Sequence, residues 1–300
     1  MNGVLVVDKP SGITSHDVVA VARRSLRERG IGHTGTLDPM ATGVLPLAIG
    51  KATRLVRFLS ASDKDYDAVI RFGRTTNTYD ATGETTSESP MRPTRTAVEF
   101  GLLALSGSYD QMPPAYSAKK VDGRRAYAMA RRDEPVDLKA VPVTVSRAVL
   151  AGLDDDTARV SITCSSGFYV RSFAHELGRM LGCGACLDAL RRTRSGEFSL
   201  SAAVPLEELA GPHAGTALAS RVISCDQLLP GYPTVQLNDQ GLAYVSNGRD
   251  LGPAQVSGRL PADTTPASWV RLMDARGTLV ALAEPDAASG TLHPSIVLLS

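Results

Sequence analysis

Residues 32–43, GHTGTLDPMATG, place one acidic residue, Asp38, in a segment crowded with glycine, threonine and proline. Glycine and the Asp-Pro pair favour turns that other residues resist, so the segment predicts a shaped loop. Ordinary turns have the same composition, and composition alone favours Asp38 as a turn former that caps backbone groups. A loop that joins two regular elements is, however, a common place for functional side chains. The flanks show helical and strand periodicity, namely SHDVVAVARRSLR (15–27), with Thr14 or Ser15 as N-cap, and VLPLAIG (44–50).

The common phosphate and metal motifs do not fit this sequence. The GK pair at 50–51 lacks both the upstream glycine and the following Ser or Thr of a phosphate-binding loop. His16 and His33 have no acidic or cysteine partners at zinc-like spacing. The CGAC motif at 183–186 is a lone CxxC between apolar residues, which favours small buried side chains for it and for the other two cysteines. We therefore expect no metal site.

Composition sets the class of protein and its charge distribution. The 300 residues are 43% hydrophobic and 21% charged, enough for one large or two smaller domains. We find no leader and no apolar run of membrane length, so we expect a soluble protein with no membrane partner. Four unpatterned cysteines suit a reducing compartment, so we expect it in the cytoplasm, and we expect a monomer. Residues 1–225 carry 28 Lys and Arg against 24 Asp and Glu, net +4, whereas 226–300 carry 4 against 7, net −3. That change, with LLPGYP at 228–233, predicts a domain boundary at 226.

Periodicity along the chain predicts an α+β fold. Irregular alternation of strands and helices favours a mixed, largely antiparallel sheet flanked by helices over residues 1–225. A long polar surface loop is expected at 74–96, and residues 226–300 are expected to form a small β-rich domain with a hairpin. The predicted strands are 4–10, 44–50, 66–73, 141–150, 157–164, 268–273 and 278–284, and the predicted helices, beside 15–27, are 97–105 and 169–182, the latter ended by Gly182.

Positive charge is concentrated in residues 115–135, AYSAKKVDGRRAYAMARRDEP. Three basic pairs alternate here with Tyr116 and Tyr127, a pattern that suits phosphate contact and base stacking on an RNA strand. A solvated helix face is an equally good interpretation of this segment taken alone. The candidate RNA-backbone residues are Lys119, Lys120, Arg124, Arg125, Arg131 and Arg132.

The sequence GHTGTLDPMATGVLP (32–46) resembles the signature of the bacterial tRNA pseudouridine synthase B family, whose members isomerise uridine 55 in the T-loop of tRNA. Further motifs are similar in order and spacing, so the resemblance extends from about residue 3 to about residue 210. These motifs are VLVVDKPSGITSHDVV (4–19), DKDYDAVIRFGRTTNTYDATG (63–83), PPAYSAKKVDGRRAYAMAR (113–131) and CSSGFYVRSFAHELGRMLGCGACLDALRRTRSGEF (164–198).

The resemblance implies a function for the loop acid. Pseudouridine formation breaks the bond from ribose C1′ to uracil N1, rotates the base and rejoins it through C5. Because nothing is oxidised or hydrolysed, the resemblance implies that no cofactor is needed. The resemblance implies that Asp38 is the covalent catalyst. Asp38 could attack C1′, attack C6 or assist the loss of a C2′ proton, and the sequence does not choose among these. Arg171 matches the arginine that pairs with this acid, although by itself it would be an exposed arginine at a helix start. Tyr66 matches the tyrosine that stacks on the target uracil, where its hydroxyl could also remove the C5 proton.

The resemblance also implies the residues that receive the RNA. Tyr169 and Leu190 match positions that line the uracil pocket, and His33 matches a histidine that occupies the space left by the flipped nucleotide. Lys9 and Lys64 lie in matched motifs, where they support either the loop or the RNA backbone. Segment 115–135 falls where the family carries a mobile RNA-binding insertion that grips the T-arm.

Residues 226–300 fit the small PUA-like module of the family in position, but their net charge of −3 is a poor match to phosphate, so we expect a divergent module with weak RNA contact. Two other functions are alternatives to the enzyme. A tRNA-binding or tRNA-folding module would not need Asp38, Tyr66 and Arg171 together. A glycosidase would need a second carboxylate as acid, and we expect no second acid in the pocket motifs.

Overall fold

The computed structural model describes residues 1–117, 137–211, 217–258 and 269–299, together with residues 119–121, 124, 125, 129, 132, 134 and 260. Its strands vary from two residues to thirteen. In chain order they are β1 Gly3–Lys9, β2 Ile31–His33, β3 Thr42–Ile49, β4 Lys64–Phe72, β5 Arg74–Thr76, β6 Thr85–Glu88, β7 Gly107–Gln111, β8 Lys120–Val121, β9 Arg124–Arg125, β10 Val141–Leu153, β11 Thr157–Cys164, β12 Ala185–Ser195, β13 Phe198–Ser199, β14 Val204–Pro205, β15 Ile223–Ser224, β16 Thr234–Leu237, β17 Val256–Ser257, β18 Val270–Met273, β19 Leu279–Asp286 and β20 Thr291–Val297.

The helices begin and end with clear local signals. The first begins after Thr14, whose hydroxyl accepts from the Asp17 amide at 3.1 Å while the Asp17 carboxylate accepts from the Thr14 amide at 2.8 Å, a reciprocal capping box. It ends at Arg27, which adopts a left-handed φ of 51°. The α-helices are α1 Ser15–Leu26, α2 Val56–Ser60, α3 Arg95–Ala104, α4 Val170–Met180, α5 Leu206–Ala210 and α6 Asp239–Ser246, and short 3-10 turns occupy Gly50–Leu55, Leu200–Ala202, Ala219–Arg221, Cys225–Gln227 and Pro253–Gln255.

One large sheet carries the N-terminal three quarters of the chain. Its main path runs β14, β1, β3, β12, β4, β11, β10, β7, and β2, β13 and β15 pair at its margins. Only the pairs β1–β14 and β3–β12 are parallel among these strands, so the predicted mixed, largely antiparallel sheet is confirmed. The parallel pairing of β3 with β12 is short, Thr42 with Arg191 and Gly43 with Arg192, and the loop that precedes β3 opens beside it.

Several element predictions hold and two fail. Strand β11 has the predicted bounds, and the other helices and strands of the large sheet that were predicted lie within a few residues of their expected ends. The polar run 74–96 is not a loop throughout, because β5 and β6 pair within it as a hairpin. Strand β12, which pairs with β4 along almost its whole length, was not predicted.

Helices cover one face of the large sheet. The main core cluster joins that face to α1, α3 and α4, with Val18, Val98 and Phe173 among its fully buried side chains. A second cluster lies on the opposite face near β1 and β3, where Val4 and Phe198 pack with Leu282 from the C-terminal part. Because this cluster joins side chains from both sides of residue 226, the boundary there stays a prediction.

The C-terminal part folds as a five-stranded sheet in the order β17, β16, β18, β19, β20 with α6 against it, and is β-rich as predicted. Strands β18 and β19 form the expected hairpin. The four cysteines are free and buried, as the sequence indicated. Within the described part of the chain, no helix is long and apolar enough to cross a bilayer, and no group of three or more His, Cys, Asp or Glu could hold a metal ion.

Candidate active site

The loop between β2 and β3 is held by bonds from distant segments. The Ser15 hydroxyl both accepts from the Leu37 amide at 2.9 Å and donates to the Leu37 carbonyl at 3.1 Å. The Gly12 amide donates to the Pro39 carbonyl at 2.8 Å. These contacts define the position of the backbone on both sides of Asp38, so the glycine-rich segment is a shaped loop, as its composition predicted.

Lys9 lies beneath this loop with no exposed surface. Its ammonium donates to the carbonyls of Pro10, Pro39 and Ala41 at 2.9, 3.1 and 2.7 Å. Burial lowers the pKa of Lys9 to about 8, against the opposing effect of Asp38. These contacts favour loop support, the first of the two roles expected for this residue.

The close approach of β3 to β12 requires glycine at position 43. Gly43 has φ of 101°, and a Cβ there would lie 2.2 Å from the Arg192 carbonyl oxygen. The Arg192 side chain, 1% exposed, then crosses under the loop and donates to the Val44 carbonyl at 2.7 Å and the Gly35 carbonyl at 3.1 Å. The final glycine of GHTGTLDPMATG therefore allows β3 to pair beside a fully buried arginine.

Asp38 and Arg171 form a two-point ion pair. The Arg171 Nε donates to Asp38 Oδ2 at 2.8 Å, and a terminal nitrogen donates to Oδ1 at 3.1 Å. The Asp38 side chain is 34% exposed whereas that of Arg171 is 6% exposed. Arg171 is thus not an exposed helix-start arginine but a buried anchor in the first turn of α4, and the carboxylate it orients faces the solvent-accessible side.

Arg171 is itself fixed by backbone carbonyls and a second acid. It donates to the carbonyls of Thr78 and Tyr116, both at 3.0 Å. Asp80 lies 3.7 Å from its guanidinium and is 7% exposed. The expectation of no second acid in the pocket motifs was therefore wrong, because Asp80 belongs to the matched 63–83 motif and lies directly behind Arg171.

Asp80 is held as a structural carboxylate. One oxygen accepts from the Thr78 hydroxyl at 2.9 Å, from the Thr82 hydroxyl at 2.6 Å and from the Thr82 amide at 3.0 Å. The neighbouring Tyr79 has a left-handed φ of 63°, and its ring stacks on His175 of α4 with centroids 3.9 Å apart. This turn docks on α4 and sets the Thr78 carbonyl and Asp80 carboxylate against the guanidinium.

A cavity of about 500 Å³ opens above the ion pair. Its walls include Tyr66 from β4, Tyr169 at the start of α4 and Leu190 from β12, together with Asp38 and Arg171. The amide of Tyr169 donates to the Gln111 side chain at 2.8 Å, and that side chain donates back to the Tyr169 carbonyl at 3.1 Å, which fixes this wall. The structure thus brings together the five residues that the sequence assigned to catalysis and to the uracil pocket.

Tyr66 is 9% exposed and faces this cavity from the centre of the sheet. It is the register partner of Arg192 on the neighbouring strand, and both residues line the cavity. Burial raises the pKa of Tyr66, while Arg192 acts in the opposite direction. Tyr169 is also affected by burial, which raises its pKa.

The remaining predicted substrate-binding residues lie at the cavity margin. His33 lines it, its ring meets His16 edge to face at 5.4 Å, and its Nδ1 has no hydrogen-bond partner among the described residues. Burial, followed by His16 and Arg192, lowers the pKa of His33. Lys64 also lines the cavity, and its ammonium donates to the carbonyls of Ser60 and Ser62 at 2.6 and 2.5 Å. Burial lowers the pKa of Lys64 to about 8.

The basic segment 115–135 is described only in part. Lys119 lines the cavity and its ammonium donates to the Lys139 carbonyl at 3.2 Å. Arg132 is 71% exposed, with its guanidinium 3.9 Å from the Glu134 carboxylate. Strands β8 and β9 pair as a hairpin that carries Lys120, Arg124 and Arg125 in its backbone, whereas Arg131 lies outside the described residues.

Two buried groups of this site were missed from the sequence. Asp80 stands in a polar, turn-rich run, where its composition indicates an ordinary Asx turn. Arg192 stands in the basic run LRRTRS (190–195), which is typical of a solvated surface. Period-two alternation was the available signal for Arg192, because it places this side chain on the same face of a strand as the apolar Leu190.

Comparisons with known proteins agree with this geometry. Residues 23–170 match the family model described as TruB family pseudouridylate synthase (N terminal domain), and residues 171–229 match that of the tRNA pseudouridylate synthase B C-terminal domain. The chain is 44% identical to the tRNA pseudouridine synthase B of Solibacter usitatus, over 99% of this chain and 100% of that protein. It is 42% identical to the protein of the same name from Thermobifida fusca, over 99% and 98% respectively.

Solved structures are similar in fold. A chain from the structure of an H/ACA RNP bound to a substrate RNA containing 2′-deoxyuridine superposes with a TM-score of 0.74 at 23% identity, over 99% of this chain and 85% of that one. A chain from the archaeal box H/ACA sRNP Nop10-Cbf5 complex gives 0.75 at 23% identity, over 99% and 86%. At this identity the likeness concerns the fold alone.

Proposed function

The chain belongs to the TruB family of tRNA pseudouridine synthases, and from that membership we propose that it isomerises uridine 55 in the T-loop of tRNA to pseudouridine, as a monomer and without a cofactor. The observation that carries the proposal is the two-point pair of Asp38 with the buried Arg171 at the floor of a cavity of about 500 Å³. That volume suits a flipped nucleobase.

Asp38 is proposed as the covalent catalyst. The reaction needs a carboxylate whose orientation is fixed while one face stays open to the sugar or the base. The fork of Arg171 provides the orientation, and the partial exposure of the Asp38 side chain leaves the carboxylate accessible from the cavity. Attack at C1′, attack at C6 and assistance in C2′ deprotonation are all compatible with a carboxylate held in this way.

The cavity walls are proposed to retain the freed base. After the bond from C1′ to N1 breaks, the uracil has to rotate without leaving, so the pocket should be apolar and closed to water. Leu190 and the rings of Tyr66 and Tyr169 supply such walls, and Tyr66 would stack on the base with its hydroxyl towards C5. Asp80 does not act as the second acid of a glycosidase, because its carboxylate is bonded to Thr78 and Thr82 behind Arg171.

Access to the cavity requires the target nucleotide to leave the T-loop stack. Flipping costs a few kcal/mol, which contacts to the RNA backbone offset. We propose that His33 fills the vacated position and that segment 115–135 grips the T-arm, with Lys119 at the cavity that receives the base. Lys64 is proposed to support the adjoining wall. The division at 226 is proposed from the change in charge and from LLPGYP at 228–233, and weak RNA contact by residues 226–300 is proposed from their negative charge.

The test is incubation of an unmodified tRNA transcript with the protein in the presence of a chelator, followed by a pseudouridine-specific chemical readout along the T-arm. We expect a single new modification at position 55. A transcript with cytidine at that position is the matched control and should give none. Modification elsewhere in the tRNA would refute the position, and no pseudouridine at all would refute the activity.

A further inference from the structure

Arg192 is a buried charge in the active-site wall to which the proposed reaction assigns no role. Arginine is almost never fully buried unless it is paired, yet this side chain is 1% exposed at the centre of the sheet. It lines the same cavity as Asp38 and Tyr66. Burying a charged group costs free energy, so the position of Arg192 suggests a role in the chemistry of the site.

The hydrogen bonds of Arg192 fix its position but do not neutralise it. Its Nε and one terminal nitrogen donate to the Val44 and Gly35 carbonyls, and neither partner carries a charge. The planar guanidinium is thereby anchored on one edge and keeps its positive charge. Tyr66 is the residue opposite Arg192 in the register of β4 and β12, and both residues line the cavity.

The charges around the Tyr66 hydroxyl have opposite effects. Burial disfavours a phenolate there, and so do the nearby Asp38 and the Cys164 thiol. Arg192 favours the phenolate by its positive charge. A tyrosine that acts as a base has to be a phenolate, and a fixed cation stabilises that anion when a bound base has displaced water from the cavity.

We propose that Arg192 is a positioning residue for the second half of the reaction, holding and polarising the Tyr66 oxygen so that it removes the proton from C5 of the re-attached uracil. The inference rests on the proposed function, since it assigns a role within that reaction. In this proposal each arginine of the cavity acts on a different step. Arg171 orients Asp38 for breaking the glycosidic bond, and Arg192 orients Tyr66 for proton removal.

The step balances without a co-reactant. After C5 has bonded to C1′, Tyr66 gives up its phenolic proton, and the resulting phenolate takes the C5–H proton while the electron pair of that bond re-forms the C5–C6 double bond. The C6–N1 π pair moves to N1, which takes up the proton that Tyr66 released. Tyr66 is again a neutral phenol, so the net change is isomerisation and the enzyme regains its starting charge.

A competing explanation is that Arg192 merely holds the catalytic loop through Gly35 and Val44. The two roles are separated by a T-arm RNA that carries 5-fluorouridine at the target position. Glycosidic cleavage and re-attachment at C5 remain possible on this RNA, but fluorine does not leave as a cation, so the deprotonation step is removed. The measurement is the single-turnover rate at saturating enzyme on the uridine and the 5-fluorouridine RNA, with rearranged nucleosides quantified by mass spectrometry after digestion.

We expect Arg192→Met to slow conversion of the uridine RNA by at least about 100-fold, the range of general acid–base catalysis, while the 5-fluorouridine RNA rearranges within a few-fold of the wild-type rate. Tyr66→Phe should give the same pattern. Arg171→Lys, which disturbs cleavage, should slow both RNAs. Arg194→Met is the matched control, because Arg194 lies two residues along β12 and pairs with Asp65 away from the cavity; it should change neither rate.

Equal slowing of both RNAs by Arg192→Met would overturn the inference in favour of loop support. Arg192→Lys is a second variant in case Arg192→Met does not fold, because lysine keeps the positive charge and is a more conservative replacement. It should react with uridine at least about tenfold faster than the Met variant if charge matters, and equal rates for the two would also overturn the inference. Failure of the wild-type protein to modify position 55 would instead refute the proposed function, so the two failures are distinct.

Discussion

The substitution Arg171→Lys tests whether the geometry of the ion pair, and not only its charge, supports catalysis. Arg171 makes four hydrogen bonds from one planar group: two to Asp38 and one each to the Thr78 and Tyr116 carbonyls. Lysine has three donors on a single nitrogen, so it cannot reach partners that are spread around the guanidinium. At least one bond to Asp38 and one bond to a carbonyl should disappear.

The magnitude follows from these broken bonds. A hydrogen bond to a charged group contributes about 1.5–3 kcal/mol, and a buried acceptor left unpaired costs about 1–3 kcal/mol. Because Arg171 is 5% exposed, water does not replace the missing donors, and the free energy of unfolding should fall by about 3–5 kcal/mol. The carboxylate should also lose its fixed orientation, and a displacement of about 1 Å costs about 100-fold in rate. The single-turnover rate should therefore fall by at least about 100-fold.

The assay is single-turnover pseudouridine formation on a tRNA transcript, with denaturant unfolding and tRNA binding measured on the same preparation. Arg179→Lys is the matched control, since Arg179 lies on the same helix but its side chain is 67% exposed and its partner is Glu176. We expect that control to behave as the wild type. A near wild-type rate for Arg171→Lys would refute the reasoning, and a defect expressed only in tRNA affinity would assign Arg171 to the residues that grip RNA.

Three further results are expected. Asp38→Asn should abolish pseudouridine formation and leave tRNA affinity within a few-fold in a filter-binding assay, and residual turnover would remove Asp38 from its role. Arg124, Arg125, Arg131 and Arg132 should be neutralised together. The slope of log affinity against log salt concentration should then become shallower by up to about 0.9 for each phosphate contact that is lost. An unchanged slope would favour a solvated surface for this segment. The pKa of Lys9 is about 8 in the folded protein and 10.5 for an ordinary lysine, so the unfolded state binds more protons than the folded state between these pH values. The free energy of unfolding of the wild type should therefore rise relative to that of Lys9→Met as the pH increases from about 8 to 10.5. A difference between the two proteins that does not change with pH would contradict this.

The regular elements could be predicted where the local pattern and the tertiary environment agree. Helix α1 has its N-cap at Thr14 and an apolar face of Val18, Val19 and Ala22, all of which are buried. Strand β11 alternates buried and partly exposed residues between two clear boundaries. In these segments the local spacing of apolar residues coincides with the face that is buried, so the pattern indicates the element without knowledge of its partners.

Strand β12 shows why other elements could not be predicted. Its sequence begins in the glycine- and cysteine-rich CGACL and continues into LRRTRS, where Thr193 is the single β-branched residue. It forms because β4 on one side and β3 on the other supply backbone partners that are more than 100 residues distant. The burial of Asp80 and of Arg192 could not be predicted for the same reason, since each is buried only because a remote segment covers it.

Both arginines of the cavity are fixed by main-chain carbonyls, and this has a consequence for RNA binding. One of the carbonyls that holds Arg171 belongs to Tyr116, at the start of the basic segment 115–135. The segment that we propose to grip the T-arm therefore also supplies a hydrogen-bond acceptor to the arginine that orients Asp38. If residue 116 moves when RNA binds, the donors left for the carboxylate would change, so the proposed grip and the catalytic geometry would be linked through this hydrogen bond. Because the link is made by a backbone atom, it does not depend on the side chain at position 116.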